Sequence, residues 1–271
     1  MIFVGSGALL RRAVTHAVGA GHRVDLVVSD DPADRPGDDR AGTASAPHLF
    51  TTDVNAAADQ LLTRCSDGVV WSVNNRMIFR APLLGHGLRI YNIHNGLLPQ
   101  HRGLPSAAVA FALLRGDREY GATLHEVDAG VDTGRVLAEL RFPVTGDARY
   151  HQVLLRGIQT CHRLFQRSLD TVAAGRAPEP PAAREPGPSG YYGLRALRQL
   201  PSYAAHPAYA RATDLGVTAP FVPELVAALR SAPQSPVLAG DAARSVPGRR
   251  RGSQQGPQQD DIRTIDESSH K

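Results

Sequence analysis

An α/β fold, a mainly parallel sheet carrying helices on both faces, is predicted by two features of this chain. The first thirty residues run strand, glycine turn, helix, strand, and runs of strand length go on alternating with helical periodicities to about residue 173. Parallel neighbours in a sheet need a crossover, and a helix is the usual one. The pattern implies a Rossmann-like core followed by a short irregular or helical C-terminal extension.

The elements follow in order. Ile2 to Val4 is an apolar strand and Gly5-Ser6-Gly7 turns the chain. Leu9/Leu10, Ala13/Val14 and Ala17/Val18 then recur at helical spacing until Gly19 and Gly21 stop the helix. Val24 to Val28 makes the second strand. Gly5-x-Gly7 lacks the third glycine of a dinucleotide fingerprint, because Leu10 stands there, so the turn assigns no nucleotide by itself. Residues 31 to 44, rich in Asp, Pro, Gly and Arg, read as a surface loop. A helix is expected around Val54 to Thr63 and a strand at Val69 to Val73. From Leu88 the chain alternates so that Leu88, Ile90, Asn92 and His94 share one face. This aims the Asn and His side chains together at a strand's C-terminal end, the edge where open α/β sheets hold ligands. Pro105 suits the first position of a helix to Arg115. Strands near Tyr120 to Val127 and Arg135 to Val144 flank a loop holding Asp132, and a long helix covers Tyr150 to Ala173. Past Gly175 the composition turns to Pro, Ala and Glu, the mark of a linker over 176–190. Short helices are expected at Tyr191 to Leu200 and Val222 to Arg230, with little order from Ser231.

Composition excludes several classes. The 271 residues are 42% hydrophobic, yet no apolar run approaches the roughly 20 residues that span a bilayer. The start enters an apolar strand with no charged segment or cleavage site, so a cytoplasmic protein without a secretory signal is expected. Cys65 and Cys161 make neither a disulfide framework nor a zinc site, and no metal is expected. The formal charge is +4, and Lys271 is the only lysine. Arg249-Arg250-Arg251 lies in a polar tail and reads as solvated, so neither nucleic acid nor membrane is expected as a partner. With no lysine in its body, the chain cannot form an imine with a carbonyl substrate there.

Three motifs carry the chemistry: Tyr91-Asn92-Ile93-His94-Asn95-Gly96-Leu97-Leu98-Pro99, Gly121-Ala122-Thr123-Leu124-His125 and Val127-Asp128-Ala129-Gly130-Val131-Asp132-Thr133-Gly134. An amide donates without titrating, a histidine titrates near working pH, and a carboxylate beside it raises the histidine's pKa. Asn92, His94 and Asp132 converging on one point can polarise a carbonyl, move a proton and hold the imidazole's charge. Acyl transfer to a nucleophile requires these three actions. His22, His86 and His101 have no partners at ligand spacing and are assigned to surface or packing. His125 is read either as support for the Asp132 loop or as a hydrogen-bonded core histidine.

With these motifs in order, residues 1 to about 175 resemble the folate-dependent formyltransferase family, most strongly from Arg76 to Gly134. The N-terminal Gly5-Ser6-Gly7-Ala8-Leu9-Leu10, followed by Gly21-His22, looks most like members attached to natural-product pathways. The resemblance implies a catalytic domain over 1–175, and the composition beyond it is read as a linker and short helical extension over 176–230 and a disordered tail over 231–271. It implies 10-formyltetrahydrofolate as formyl donor and a primary amine as acceptor. Asn92 would stabilise the oxyanion of a tetrahedral intermediate, His94 would assist it or take the amine's proton, and Asp132 would orient His94 and relay protons. The donor would sit on Arg76, Met77 and Ile78 and on Val127, Asp128, Ala129, Gly130 and Val131. Gly5, Ser6 and Gly7 at the first helix's head would face the acceptor and could hold an anionic group.

The implied acceptor is a small-molecule amine, such as an amino sugar nucleotide, or a carrier-tethered amino acid in specialised metabolism. Members acting on methionyl-tRNA carry a sizeable C-terminal β-barrel that the Pro-rich residues past 175 do not resemble. A hydrolase passing the formyl group to water, or a non-catalytic folate- or nucleotide-binding module, remains as an alternative; the hydrolase usually has an N-terminal regulatory domain. Two departures from the family pattern stand out. Gly96 occupies a position that is Ser in many members, a change expected to alter loop packing without touching the three catalytic groups. The stretch between His94 and His125 is slightly longer than in close relatives.

Overall fold

The computed structural model describes residues 1–34, 46–176, 178 and 189–231. The strands, in chain order, are β1 (Ile2–Gly5), β2 (Leu26–Ser29), β3 (His48–Phe50), β4 (Val69–Val73), β5 (Arg89–His94), β6 (Arg102–Gly103), β7 (Glu119–Glu126), β8 (Val136–Pro143) and β9 (Tyr191–Tyr192). Seven of them form one sheet in the order β3-β2-β1-β4-β5-β7-β8. β1 to β5 run parallel, whereas β7 pairs antiparallel with both β5 and β8. The sheet is thus mainly parallel and Rossmann-like, as the sequence predicts. β6 and β9 form a separate parallel pair.

The helices are α1 (Gly7–Gly19), α2 (Ala58–Arg64), α3 (Pro105–Arg115), α4 (Tyr150–Ala173), α5 (Leu194–Gln199), α6 (Tyr209–Ala212) and α7 (Pro223–Arg230). α1 and α4 cover one face of the sheet. α1 buries Leu10, Ala13, Val14 and Ala17, and α4 buries Cys161, Leu164, Phe165, Leu169 and Val172, both at helical period. Phe165 packs edge-on against Phe3 and Trp71, with ring centroids 5.8 and 5.0 Å away. On the other face Ile2, Val4, Val28, Val70 and Ile90 meet Leu61 of α2 with Met77, Phe79 and Leu83. The alternation along each strand divides the two cores.

A third cluster surrounds α3. Every residue from Ser106 to Leu114 is buried, which fits a helix that is apolar all round. α4 packs on one side, and residues 192–225 wrap another through Tyr192, Leu197, Leu200, Ala212 and Leu225. Each large side chain buried here is worth about 1.5–3 kcal/mol, so the C-terminal extension is integral to this core.

Several expectations are corrected. β3 has no counterpart in the sequence pattern; at three residues its periodicity is too short to read. The helix near residue 54 begins as a 3-10 turn, Val54–Ala57, before α2. Tyr191-Tyr192 is extended, not helical, because it pairs with β6. After β4 the chain passes through turns, with Leu83 and Leu84 N–H groups donating to the Arg80 carbonyl. Residues 76–78 therefore lie on a strand-to-turn segment. The loop at 31–44 and the linker at 176–190 fall mostly outside the described residues, and the tail beyond 231 lies wholly outside them. Among the described residues no helix is long and apolar enough to cross a membrane.

Candidate active site

Asn92 and His94 sit at the C-terminal end of β5, pointing to the same side because they are two residues apart. The antiparallel register with β7 sets Asn92 opposite His125 and His94 opposite Thr123. Asp132 comes from the loop between β7 and β8. Its φ of +53° is in the left-handed region, which side chains other than glycine seldom adopt. Asp128 holds that loop together: its Oδ1 accepts from the Gly130 N–H at 3.0 Å and the Thr133 hydroxyl at 2.6 Å. At Gly134 a Cβ would lie 1.8 Å from the Glu126 carbonyl oxygen, so only glycine lets the loop close against β7. The Asp132 Oδ2 then accepts from the Gly103 N–H at 2.8 Å.

The hydrogen bonds assign the protons. His94 Nε2 lies 2.6 Å from the His101 carbonyl oxygen, which can only accept, so Nε2 carries a hydrogen. His94 Nδ1 lies 3.5 Å from Asp132 Oδ2. His125 Nδ1 donates to the Glu126 carbonyl at 2.7 Å, leaving Nε2 to accept from the Asn92 amide at 3.0 Å. The amide also reaches Asp132 Oδ1 at a long 3.4 Å. His125 therefore fixes which way the Asn92 amide faces. The antiparallel pairing was the available signal for its role.

Burial pushes the His94 pKa below its ordinary 6.5, against the opposing pull of Asp132 and the His101 carbonyl. Burial alone would raise Asp132. The His94 charge, His125 and the Gly103 N–H overcome it and bring the carboxyl down to about 2. At neutral pH the site thus holds an ionised carboxylate facing a neutral imidazole whose Nδ1 lone pair can take a proton.

His101 is not a surface or generic packing residue. It is buried, its Nδ1 accepts from the Leu97 N–H at 3.0 Å, and its Nε2 donates to Asp117 at 3.0 Å. Gly96 is also more than a loop residue. A Cβ there would lie 2.8 Å from His94 Nε2 and from His101 Cβ, inside the space of the His94–His101 bond. His22 also has a partner, with Nε2 2.8 Å from Asp170.

The residues expected to hold the donor are divided between buried and exposed positions. Met77 is buried in one cluster with Ile90 and against Val127, while Ile78 and Val131 are 53% and 36% exposed. Arg76, Asp128, Ala129 and Gly130 are exposed. These apolar groups suit the faces of a flat ring. Backbone groups here are already bonded within the chain: Asn75 bonds both the N–H and the carbonyl of Met77 at 2.9 Å, and Asn55 donates to the Ile78 carbonyl at 2.8 Å.

Gly5, Ser6 and Gly7 do form the turn into α1; a Cβ on Gly5 would lie 1.8 Å from the Val73 carbonyl oxygen. An internal carboxylate, however, takes the anion position at the helix head. Asp34 Oδ2 accepts from the Gly7 N–H at 2.7 Å and the Ser29 hydroxyl at 2.8 Å, and Arg11 pairs with its other oxygen. The Gly7 N–H at the helix head is thus already engaged by a carboxylate of the chain. Asp25, Cys65 and Asp67 are the one group of potential metal ligands among the described residues, at the opposite, N-terminal edge of the strands.

Residues 9–169 match the model of the formyl transferase family. A methionyl-tRNA formyltransferase of Rhizobium meliloti is 29% identical over 199 residues, 68% of this chain. The chain spans 63% of that relative's length. Among solved structures, glycinamide ribonucleotide transformylase 1 of Symbiobacterium toebii superposes with a TM-score of 0.56 at 29% identity, covering 65% of this chain and 87% of that one. The N-formyltransferase of Helicobacter canadensis, in complex with folinic acid and dTDP-3-aminofucose, gives 0.54 at 15% identity, covering 72% and 71%, a likeness of fold. With the family model matching more than half of its residues, the chain belongs to the formyl transferase family.

Proposed function

We propose that this protein transfers a formyl group from 10-formyltetrahydrofolate to a primary amine, with Asn92, His94 and Asp132 performing the chemistry. The convergence of these three side chains around the Asp132 carboxylate, at the C-terminal edge of the sheet, carries this reading. The donor supplies a formyl carbon bound to a nitrogen leaving group; the chain's residues do the rest. One Asn92 N–H stays with His125, and the other, on the long 3.4 Å contact, is the one to turn toward the oxyanion. The neutral His94 takes the amine's proton at Nδ1, beside an ionised Asp132 that steadies the imidazolium. As the new C–N bond forms and the old one breaks, that proton is available for the departing nitrogen.

Met77, Val127, Ile78 and Val131 are the donor's proposed apolar wall, with Arg76 and the 128–130 loop at its rim. For the acceptor we favour a small amine, an amino sugar nucleotide or a carrier-tethered amino acid. The helical packing of residues 194–230 on α3 and α4 supports this, since it leaves no barrel among the described residues. The likeness to a methionyl-tRNA formyltransferase supports a second reading, with a charged tRNA as acceptor.

The test incubates the full chain with donor labelled in the formyl carbon and a panel of amines, including an amino sugar nucleotide, a carrier-loaded amino acid and methionyl-tRNA. Label found in one amine names the acceptor. Label released only as formate means hydrolysis, and donor binding without turnover means a binding protein.

A further inference from the structure

We propose that His101, held by Asp117 and Arg115, is a positioning residue that aims His94, and that strand β9 braces it from the C-terminal extension. The proposal rests on the catalytic reading of His94 given above.

Both ring nitrogens of His101 are committed. Nδ1 accepts from the Leu97 N–H and Nε2 donates to Asp117 Oδ2, each at 3.0 Å. The ring leans on Tyr120, centroids 4.6 Å apart, and the Tyr120 hydroxyl donates to the Asn95 carbonyl at 2.9 Å. Asp117 in turn accepts two bonds from Arg115, at 3.2 and 2.5 Å. The Arg115 guanidinium lies 5.2 Å over the Tyr192 ring, and Tyr192 stacks on Phe111 at 5.2 Å. A chain of contacts runs from β9 to His101.

The backbone around His101 is clamped from the other side. Arg102 N–H donates to the Gly190 carbonyl at 2.9 Å, Leu104 N–H to Tyr192 at 2.8 Å, and Gly190 N–H to Pro99 at 3.1 Å. The segment so held sends two groups into the site: the His101 carbonyl to His94 and the Gly103 N–H to Asp132. One short segment therefore orients both members of the His–Asp pair. The missing Cβ of Gly96, which would lie 2.8 Å from His94 Nε2, is an independent sign that space is reserved for this bond.

Removing Asp117 strands a buried Nε2–H, and the ring recovers a partner only by moving its own backbone. That movement carries the carbonyl away from His94. The groups facing His94 are Asp132 from the β7–β8 loop, His125 from β7 and this carbonyl. Losing the carbonyl removes an acceptor that favours the charged ring, so the acid limb of kcat moves to lower pH.

The test compares the full chain with Asp117→Ala and Asp117→Asn, using whichever amine the panel identifies. Asp117→Ala lowers kcat about 10- to 100-fold, the cost of a displacement near 1 Å. The donor KM stays within about twofold, since ground-state binding is untouched. Asp117→Asn, which keeps an acceptor for Nε2–H, restores most of the rate. Unchanged kcat in Asp117→Ala overturns the proposal, as does a loss with an unmoved acid limb and no rescue by Asn. If Asp117→Ala does not fold, imidazole nitrogen NMR on the unmodified protein decides: both His94 and His101 must be Nε2–H tautomers, and an Nδ1–H on neutral His94 overturns it. His94→Ala runs in the same assay. Turnover surviving that change refutes the catalytic reading itself, an outcome distinct from the failure of His101 as its positioner.

Discussion

The Nε2 of His94 and the carbonyl oxygen of His101 are 2.6 Å apart, and this bond decides which nitrogen of His94 faces Asp132. It commits Nε2 as donor and leaves Nδ1 toward Asp132, 3.5 Å away. That gap exceeds a direct hydrogen bond, so a proton arriving at Nδ1 meets a carboxylate already in place.

Gly96 guards this arrangement. Gly96→Ala puts a methyl 2.8 Å from His94 Nε2 and should lower kcat about 10-fold or more, with folding retained. Steady-state kinetics and a thermal melt check it. A variant with normal kcat would show that the bond can stretch without cost.

Acid should act in two windows. His94 and His101 have pKa values pushed below 6.5 by burial. The unfolded chain therefore binds more protons than the native one as pH falls from 6.5, and stability drops. Asp132 and Asp117 are lowered from 3.8, Asp132 to about 2, so their contribution is complete above 3.8 and is lost toward 2. Urea midpoints should fall between pH 7.5 and 5 and again below 4. The acid limb of kcat should lie below 6.5; a limb above that value would mean that His94 must be charged to work.

Asp132→Asn separates charge from conformation, because Asn tolerates the left-handed φ of +53°. Turnover should fall on the order of 100-fold or more while the fold stays intact. Circular dichroism and kcat together test it. Retained activity would reduce Asp132 to a loop residue.

His125→Phe removes the acceptor that orients the Asn92 amide. An expected loss of about 10-fold in kcat follows from the freed amide. An unchanged rate would show that β5 alone fixes Asn92.

Periodicity made the parallel strands and the long helices legible, and alternation along β5 put Asn92 and His94 on one side. What escaped was set by non-local pairing. Tyr191-Tyr192 becomes a strand only because Arg102-Gly103 lies beside it, and two residues carry no period. His101 looked unpartnered because Asp117 reaches it only after α3 turns the chain back. At the head of α1 the Gly7 N–H is taken by Asp34, 27 residues downstream, a pairing that local spacing does not show.

The most direct test of the central claim is single-turnover formyl transfer by the unmodified chain, Asn92→Ala and His94→Ala, at saturating donor and acceptor. Formyl-amine should form in the unmodified chain, with a loss of about 100- to 1,000-fold on removing the Asn92 donor. His94→Ala should be at least as slow near pH 7. Undiminished transfer in Asn92→Ala would show that the Asn92 amide does not stabilise the oxyanion.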